Sequence, residues 1–123
     1  MTRIALVEDN ADNRLLVQAI LEEMYDLDEY ESGNEALSGM LAQPPALVLL
    51  DISLPVMDGT EVLRRVRASD RLRHIPVVAL TAHAMAGDRE KFLDMGFDAY
   101  VTKPIVDESV LLGEIERLLE RAG

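Results

Sequence analysis

The sequence predicts an α/β domain built on a parallel sheet, with helices crossing over both of its faces. Three observations carry this. The apolar runs Ile4–Val7, Ala46–Leu50 and Ile75–Leu80 are continuous, whereas strands buried on one face only would alternate. Each run ends in a polar residue and a turn. Between the runs lie segments with apolar residues at helical spacing, so that five strand-like stretches alternate with five helix-like ones, the pattern of right-handed βαβ crossovers.

Each element has its own signal. Arg3-Ile4-Ala5-Leu6-Val7 is the first strand and terminates in Glu8-Asp9. Asn10 can cap the next helix, in which Leu16, Ala19, Ile20 and Met24 recur at helical spacing while Asp12, Asn13, Arg14, Glu22 and Glu23 take the polar side. Asp26–Tyr30 is a weak strand whose alternating acids suit an edge that must not pair with a second molecule. Gly33 is expected to turn the chain. Glu35–Leu41 is a short helix with Ala36, Leu37, Met40 and Leu41 on one face, stopped by Pro44-Pro45.

The next strand, Ala46–Asp51, is the centre of the pattern and ends in a carboxylate. Ser53–Gly59 is a loop, and Val62, Leu63 and Val66 mark a helix whose other side holds Glu61, Arg64, Arg65 and Arg67. Ile75–Leu80 is the fourth strand, with Pro76 confined to its start and Thr81 at its end. Met85–Met95 reads as a helix closed by Gly96 as a left-handed cap. Asp98–Thr102 is the fifth strand, ending at Lys103-Pro104, and Asp107 caps a last helix with Leu111, Ile115, Leu118 and Leu119 as its apolar face. Periodicity does not set strand order; the flavodoxin-like order 2-1-3-4-5 is one of the two common choices.

Composition bounds the function. A chain of 123 residues is most simply one domain, 1–123, large enough to bury roughly two-thirds of its unfolded surface. With no cysteine there is no disulfide or thiol chemistry, and no apolar run approaches the roughly 20 residues of a membrane helix. A soluble cytoplasmic protein without membrane contact is expected. The net charge of −11 repels phosphate backbones, so direct nucleic-acid binding is not expected, and cations are favoured instead.

The strong strands run out into Glu8-Asp9, Asp51, Thr81 and Lys103, four sets of polar residues delivered to one edge of a parallel sheet, where such folds place ligands. Converging carboxylates repel one another until a cation arrives. Oxygen ligands without histidine or cysteine favour Mg²⁺ over zinc, and Mg²⁺ usually shares one or two carboxylates with waters and a phosphate. Lys103 supplies a point charge able to pair with Asp51 at rest and with a phosphoryl oxygen later, and Thr81 offers a hydroxyl. A carboxylate nucleophile, a metal, a cation and a hydroxyl suffice to take up a phosphoryl group as an aspartyl phosphate on Asp51. Taken singly, the same residues read as helix caps (Asp9, Asp51), a turn residue (Thr81) and a solvated lysine; His83 alone reads as a surface residue, and Met57, Met85 and Met95 as packing.

The ordered set Glu8-Asp9, Asp51, Thr81 and Lys103-Pro104, with Leu54-Pro55-Val56-Met57-Asp58-Gly59 after the acceptor, closely resembles the receiver domain of two-component response regulators. The spacing is specific: 42 residues from Asp9 to Asp51, 30 on to Thr81 and 22 on to Lys103. Glu8-Asp9-Asn10 with Asn13, and Thr81-Ala82-His83-Ala84-Met85, are most similar to receivers of hybrid kinases and of single-domain regulators such as DivK. The resemblance covers essentially the whole chain and implies a (βα)5 flavodoxin-like three-layer sandwich, five parallel strands in the order 2-1-3-4-5.

It also implies roles. Asp51 accepts phosphate from a histidine kinase or phosphotransfer protein; Asp9, Asp51 and the Ser53 carbonyl bind Mg²⁺, and Glu8, in place of the aspartate of many relatives, reaches it through water. Thr81 and Lys103 hold the phosphoryl oxygens, the Lys103–Pro104 bond is cis, and Tyr100 is the aromatic that turns inward when Thr81 moves. Ser53 and His83 occupy the positions that tune phosphate lifetime. The fourth helix, fifth strand and fifth helix form the output face of a monomer or weak dimer that acts through protein contacts, not as an enzyme acting on other molecules. Two other readings remain: an aspartyl phosphatase like the haloacid dehalogenases, which usually carry a second aspartate where Ser53 stands, and a docking module that is never phosphorylated.

Overall fold

A computed structural model of the chain describes residues 1–82 and 87–122; His83 and Met85 lie outside the described residues. Ten elements alternate among the described residues: β1 (Arg3–Val7), α1 (Ala11–Leu21), β2 (Asp26–Tyr30), α2 (Gly33–Ala42), β3 (Leu47–Asp51), α3 (Gly59–Ala68), β4 (Val77–Thr81), α4 (Asp88–Met95), β5 (Ala99–Thr102) and α5 (Glu108–Ala122). The strands form one parallel sheet in the order β2-β1-β3-β4-β5, the flavodoxin-like order. The chain must therefore reverse its direction of travel across the sheet after β2, and the switch point lies between β1 and β3.

The continuous apolar strands are what two covered faces require. Ala5, Val7, Val48, Leu50, Val77 and Ala79 point to one side and meet Ala36 and Met40 of α2, Val62, Leu63 and Val66 of α3, and Phe92 of α4. Ile4, Leu6, Leu47, Leu49, Val78 and Leu80 point to the other and meet Val17 and Leu21 of α1 with Leu111, Ile115 and Leu118 of α5. Each fully buried aliphatic side chain contributes about 1.5–3 kcal/mol relative to exposure, so these two cores hold the strand ends in place. Among the described residues no helix is long and apolar enough to cross a membrane.

Three local expectations are corrected. On α1 the buried residues are Val17 and Leu21, with Ile20 partly buried, while Leu16, Ala19 and Met24 are exposed. Six of the seven residues from 15 to 21 are aliphatic, so the pattern has no unique apolar face and packing selects one. On α2, Leu41 is exposed, and Ala36 and Met40 carry the contact. Gly33 is no turn: it is the first residue of α2, capped by Ser32, and a Cβ there would lie 2.7 Å from the Val62 side chain, so it is small because α2 and α3 pack closely.

Candidate functional site

The site is assembled at the carboxyl edge of the sheet. β1 hands over to Glu8, whose N–H donates to the Tyr30 carbonyl at 3.0 Å and whose own carbonyl accepts from Arg14 at 2.8 Å. These bonds fix the first turn after the strand. The Asn10 side chain caps α1 by accepting the Asn13 N–H at 3.0 Å. Asp51 is the last residue of β3, in register with Leu80, and its Oδ1 accepts the Ser53 N–H at 3.0 Å.

The loop after β3 is held tightly. Asp58 caps α3 by accepting the Glu61 N–H at 3.1 Å, and the Thr60 hydroxyl on the same oxygen holds the Asp58 carboxyl below its ordinary pKa. Gly59 donates to the Ile52 carbonyl at 2.9 Å, and a Cβ there would stand 2.3 Å from the Asp51 carbonyl oxygen. Only glycine permits this approach. Across the sheet Thr81 ends β4, buried and in register with Thr102, and Lys103 donates its backbone N–H to the Thr81 carbonyl at 2.7 Å. The Lys103–Pro104 peptide is cis.

These connections bring the charges together. Glu8, Asp9 and Asp51 each offer an oxygen within 4.8 Å of the other two. Glu8 and Asp51 are 1 % and 2 % exposed, whereas Asp9 is exposed. Lys103 Nζ lies 3.0 Å from Glu8 Oε1 and 3.1 Å from Asp51 Oδ1. Burial first, and then the Asp51 carboxylate beside it, push the Glu8 carboxyl up to about 7 against the opposing pull of Lys103. Burial pulls Lys103 down, but its two carboxylate partners outweigh it and hold the ammonium above its ordinary pKa. Three carboxylates facing one ammonium leave two negative charges in excess when all are ionised.

The oxygen-only donor set and that excess fit a small hard divalent cation. The Glu8–Lys103 contact goes beyond the sequence expectation; the signal for it is that Glu8 follows β1 directly and Lys103 follows β5 directly, at the same edge of the sheet. Tyr100, on β5, is half-buried with its ring centroid 6.1 Å from that of Phe92, so it rests against α4 at the margin of the core. Ser53 is exposed beside Asp51, and His83 lies outside the described residues.

A family model described as the response regulator receiver domain matches residues 4–116. The chain belongs to the response regulator receiver family. It is 42% identical over 103 residues to the polar-differentiation response regulator DivK of Brucella anthropi, covering 83% of this chain and 84% of that one. It is 38% identical over 112 residues to the sensor histidine kinase GacS of Pseudomonas protegens, covering 88% of this chain but only 12% of the kinase. The receiver thus spans about an eighth of the kinase it matches. It is also similar to the solved receiver domain of the sensor histidine kinase PA1611 of Pseudomonas aeruginosa, which has a magnesium ion coordinated in its active-site cleft: TM-score 0.87, 34% identity, 97% of this chain and 98% of that one. Family and fold agree, and the chain is a CheY-like phosphoacceptor receiver of two-component signalling.

Proposed function

We propose that this receiver takes a phosphoryl group from a phosphohistidine, on a histidine kinase or phosphotransfer protein, onto Asp51, and passes the signal on through protein contacts. A single observation carries the reading: Lys103 Nζ sits within 3.1 Å of both buried carboxylates, while a third carboxylate oxygen lies within 4.8 Å of theirs. Asp51 Oδ attacks phosphorus as the P–N bond breaks and the imidazole leaves with the electron pair. Ser53 N–H orients the Asp51 carboxylate, and Lys103 moves from Asp51 to a phosphoryl oxygen as the new charge appears. Thr81, buried at matching depth in the next strand, supplies a hydroxyl to another oxygen.

Asp9, Asp51 and the Ser53 carbonyl would hold Mg²⁺, with Glu8 reaching it through water. Bound there, the ion would supply positive charge to offset the carboxylates and the charge of the incoming phosphoryl group. The drawing-in of Thr81 vacates space that the Tyr100 ring fills, and the α4–β5–α5 surface changes with it; a few kcal/mol suffices for such a two-state shift. Ser53, with His83, sits where phosphate lifetime is tuned. The domain is read as 1–123, one receiver in the cytoplasm that binds proteins and neither nucleic acid nor membrane, as a monomer or weak dimer.

The test is direct. Acetyl phosphate with Mg²⁺ adds one phosphoryl group of about 80 Da, labile to hydroxylamine, and Asp51→Asn abolishes it. Equal labelling of the Asn variant, read by intact-mass spectrometry, would refute the assignment.

A further inference from the structure

Arg14 stands on the polar side of α1, where an arginine is ordinarily solvated, yet its side chain is 16 % exposed against 68 % for Arg64 of α3. Three segments hold it instead. Nη1 donates to the Glu8 carbonyl at 2.8 Å, Nη2 donates to Glu31 Oε1 at 3.2 Å, and Nε lies 4.0 Å from Glu29 Oε1. Glu29 is in the last turn of β2 and Glu31 just past it, so the guanidinium is braced from β2 while one donor reaches the turn that leaves β1.

The Glu8 carbonyl and the Asp9 N–H belong to one planar peptide unit, so a bond to that oxygen sets the plane from which Asp9 departs. Glu8 is fixed three times besides: its N–H donates to the Tyr30 carbonyl at 3.0 Å, and its carboxylate accepts from Lys103 Nζ at 3.0 Å and from the Asn10 N–H at 3.3 Å. Asp9 stands differently. It is exposed and takes no part in the ion pairs of Lys103, which join Glu8 and Asp51, although one of its oxygens lies within 4.8 Å of an oxygen of each. What aims its carboxylate into the cluster is therefore the backbone, and the bond from Arg14 fixes the peptide that precedes it.

We infer that Arg14 is a positioning residue for Mg²⁺: by holding the Glu8–Asp9 peptide it presents the Asp9 carboxylate to the ion. This rests on the reading of Asp9 as a ligand given above and adds the residue that aims it. Charge alone acts the other way. A guanidinium repels a cation, so an arginine that did no positioning would weaken Mg²⁺ binding, and its removal would strengthen it.

The experiment measures Mg²⁺ binding to the full chain by calorimetry, at a temperature where urea curves show each variant folded. Arg14→Met, which gives no hydrogen bond to Glu8, is expected to bind about tenfold more weakly than wild type. Arg14→Lys, which keeps a donor and the charge, stays within about threefold, and Glu31→Gln, which alters a brace but not the bond to Glu8, within about twofold. Labelling of Arg14→Met by acetyl phosphate returns to within about twofold of wild type once Mg²⁺ saturates, because the loss lies in the ion's affinity. Binding by Arg14→Met as tight as wild type, or tighter, overturns the inference. So does an equal loss in Arg14→Lys, which would mark the packing of the side chain rather than its bond, and so does labelling that saturating Mg²⁺ does not restore. If the wild type itself binds no Mg²⁺, it is the metal reading above that falls.

Discussion

Opposite edges of the one sheet carry two charge clusters built on opposite principles. At the amino ends of β4 and β5, Arg67 bonds Gly96 O through Nε at 3.2 Å and Nη2 at 2.8 Å, Arg73 O and Ile75 O through Nη1 at 2.8 and 2.7 Å, and Asp98 Oδ2 through Nη2 at 2.9 Å. That employs every guanidinium donor, and Asp98 Oδ2 also accepts the Val77 N–H at 2.8 Å. Charge and hydrogen bonds both close. At the carboxyl ends Glu8 and Asp51 share Lys103, Asp9 stands beside them, and charge stays open. The closed cluster ties the end of α3 to the turns before β4 and β5 and is architecture. The open one holds negative charge that only a ligand can neutralise, which is why it is the site.

The contrast is broken most severely at the closed end. Arg67→Met leaves three carbonyls and the Asp98 carboxylate short of donors, and is expected to cost about 2–4 kcal/mol in urea unfolding while labelling of Asp51 per folded molecule is unchanged. At the open end the sign reverses. Mg²⁺ at a hundredfold excess over its dissociation constant stabilises the wild type by about 2.7 kcal/mol and Asp51→Asn by much less, because the variant lacks one of the ion's carboxylates. Without the ion, Asp51→Asn is expected to be more stable than wild type by about 1–2 kcal/mol, since it removes a carboxylate from beside Glu8 and leaves Lys103 paired there. Denaturation curves with Mg²⁺ or with a chelator check both.

The open cluster is legible in the sequence because each of its residues stands at the end of a strand or within two residues of it, and the apolar runs that reveal strands also locate their ends. Asp51, Thr81 and Lys103 need only the strand boundaries to be placed at one edge. The closed cluster is not legible. Arg67 sits among Glu61, Arg64 and Arg65 and reads with them as a solvated helix face, because nothing in helical spacing shows that the Gly96 and Ile75 carbonyls lie within its reach. Partners 8 and 29 residues away are set by how α3 packs, a tertiary fact. The same limit conceals the buried face of α1, where aliphatic residues on all sides leave Val17 and Leu21 indistinguishable from Leu16 and Met24 until the helix meets the sheet.

The subtlest way to sharpen the contrast is pH. Glu8 has a carboxyl raised from 4.5 to about 7 in the fold, by burial and by Asp51. Below pH 4.5 it is protonated in the folded and the unfolded chain alike, and its stabilising contribution is fully present. Between 4.5 and 7 the unfolded chain releases the proton that the fold keeps, so stability falls as pH rises, and above about 7 the contribution is lost. Without Mg²⁺ the wild type is therefore expected to lose roughly 1 kcal/mol between pH 6 and pH 8 that Glu8→Gln does not lose. Gln keeps an acceptor for Lys103 but has no proton to release. Adding Mg²⁺ should flatten the wild-type curve as well, because a cation favours the ionised carboxylate that burial opposes. A slope that survives both changes would place the titrating group elsewhere and remove the reason for treating the carboxyl edge as the open one.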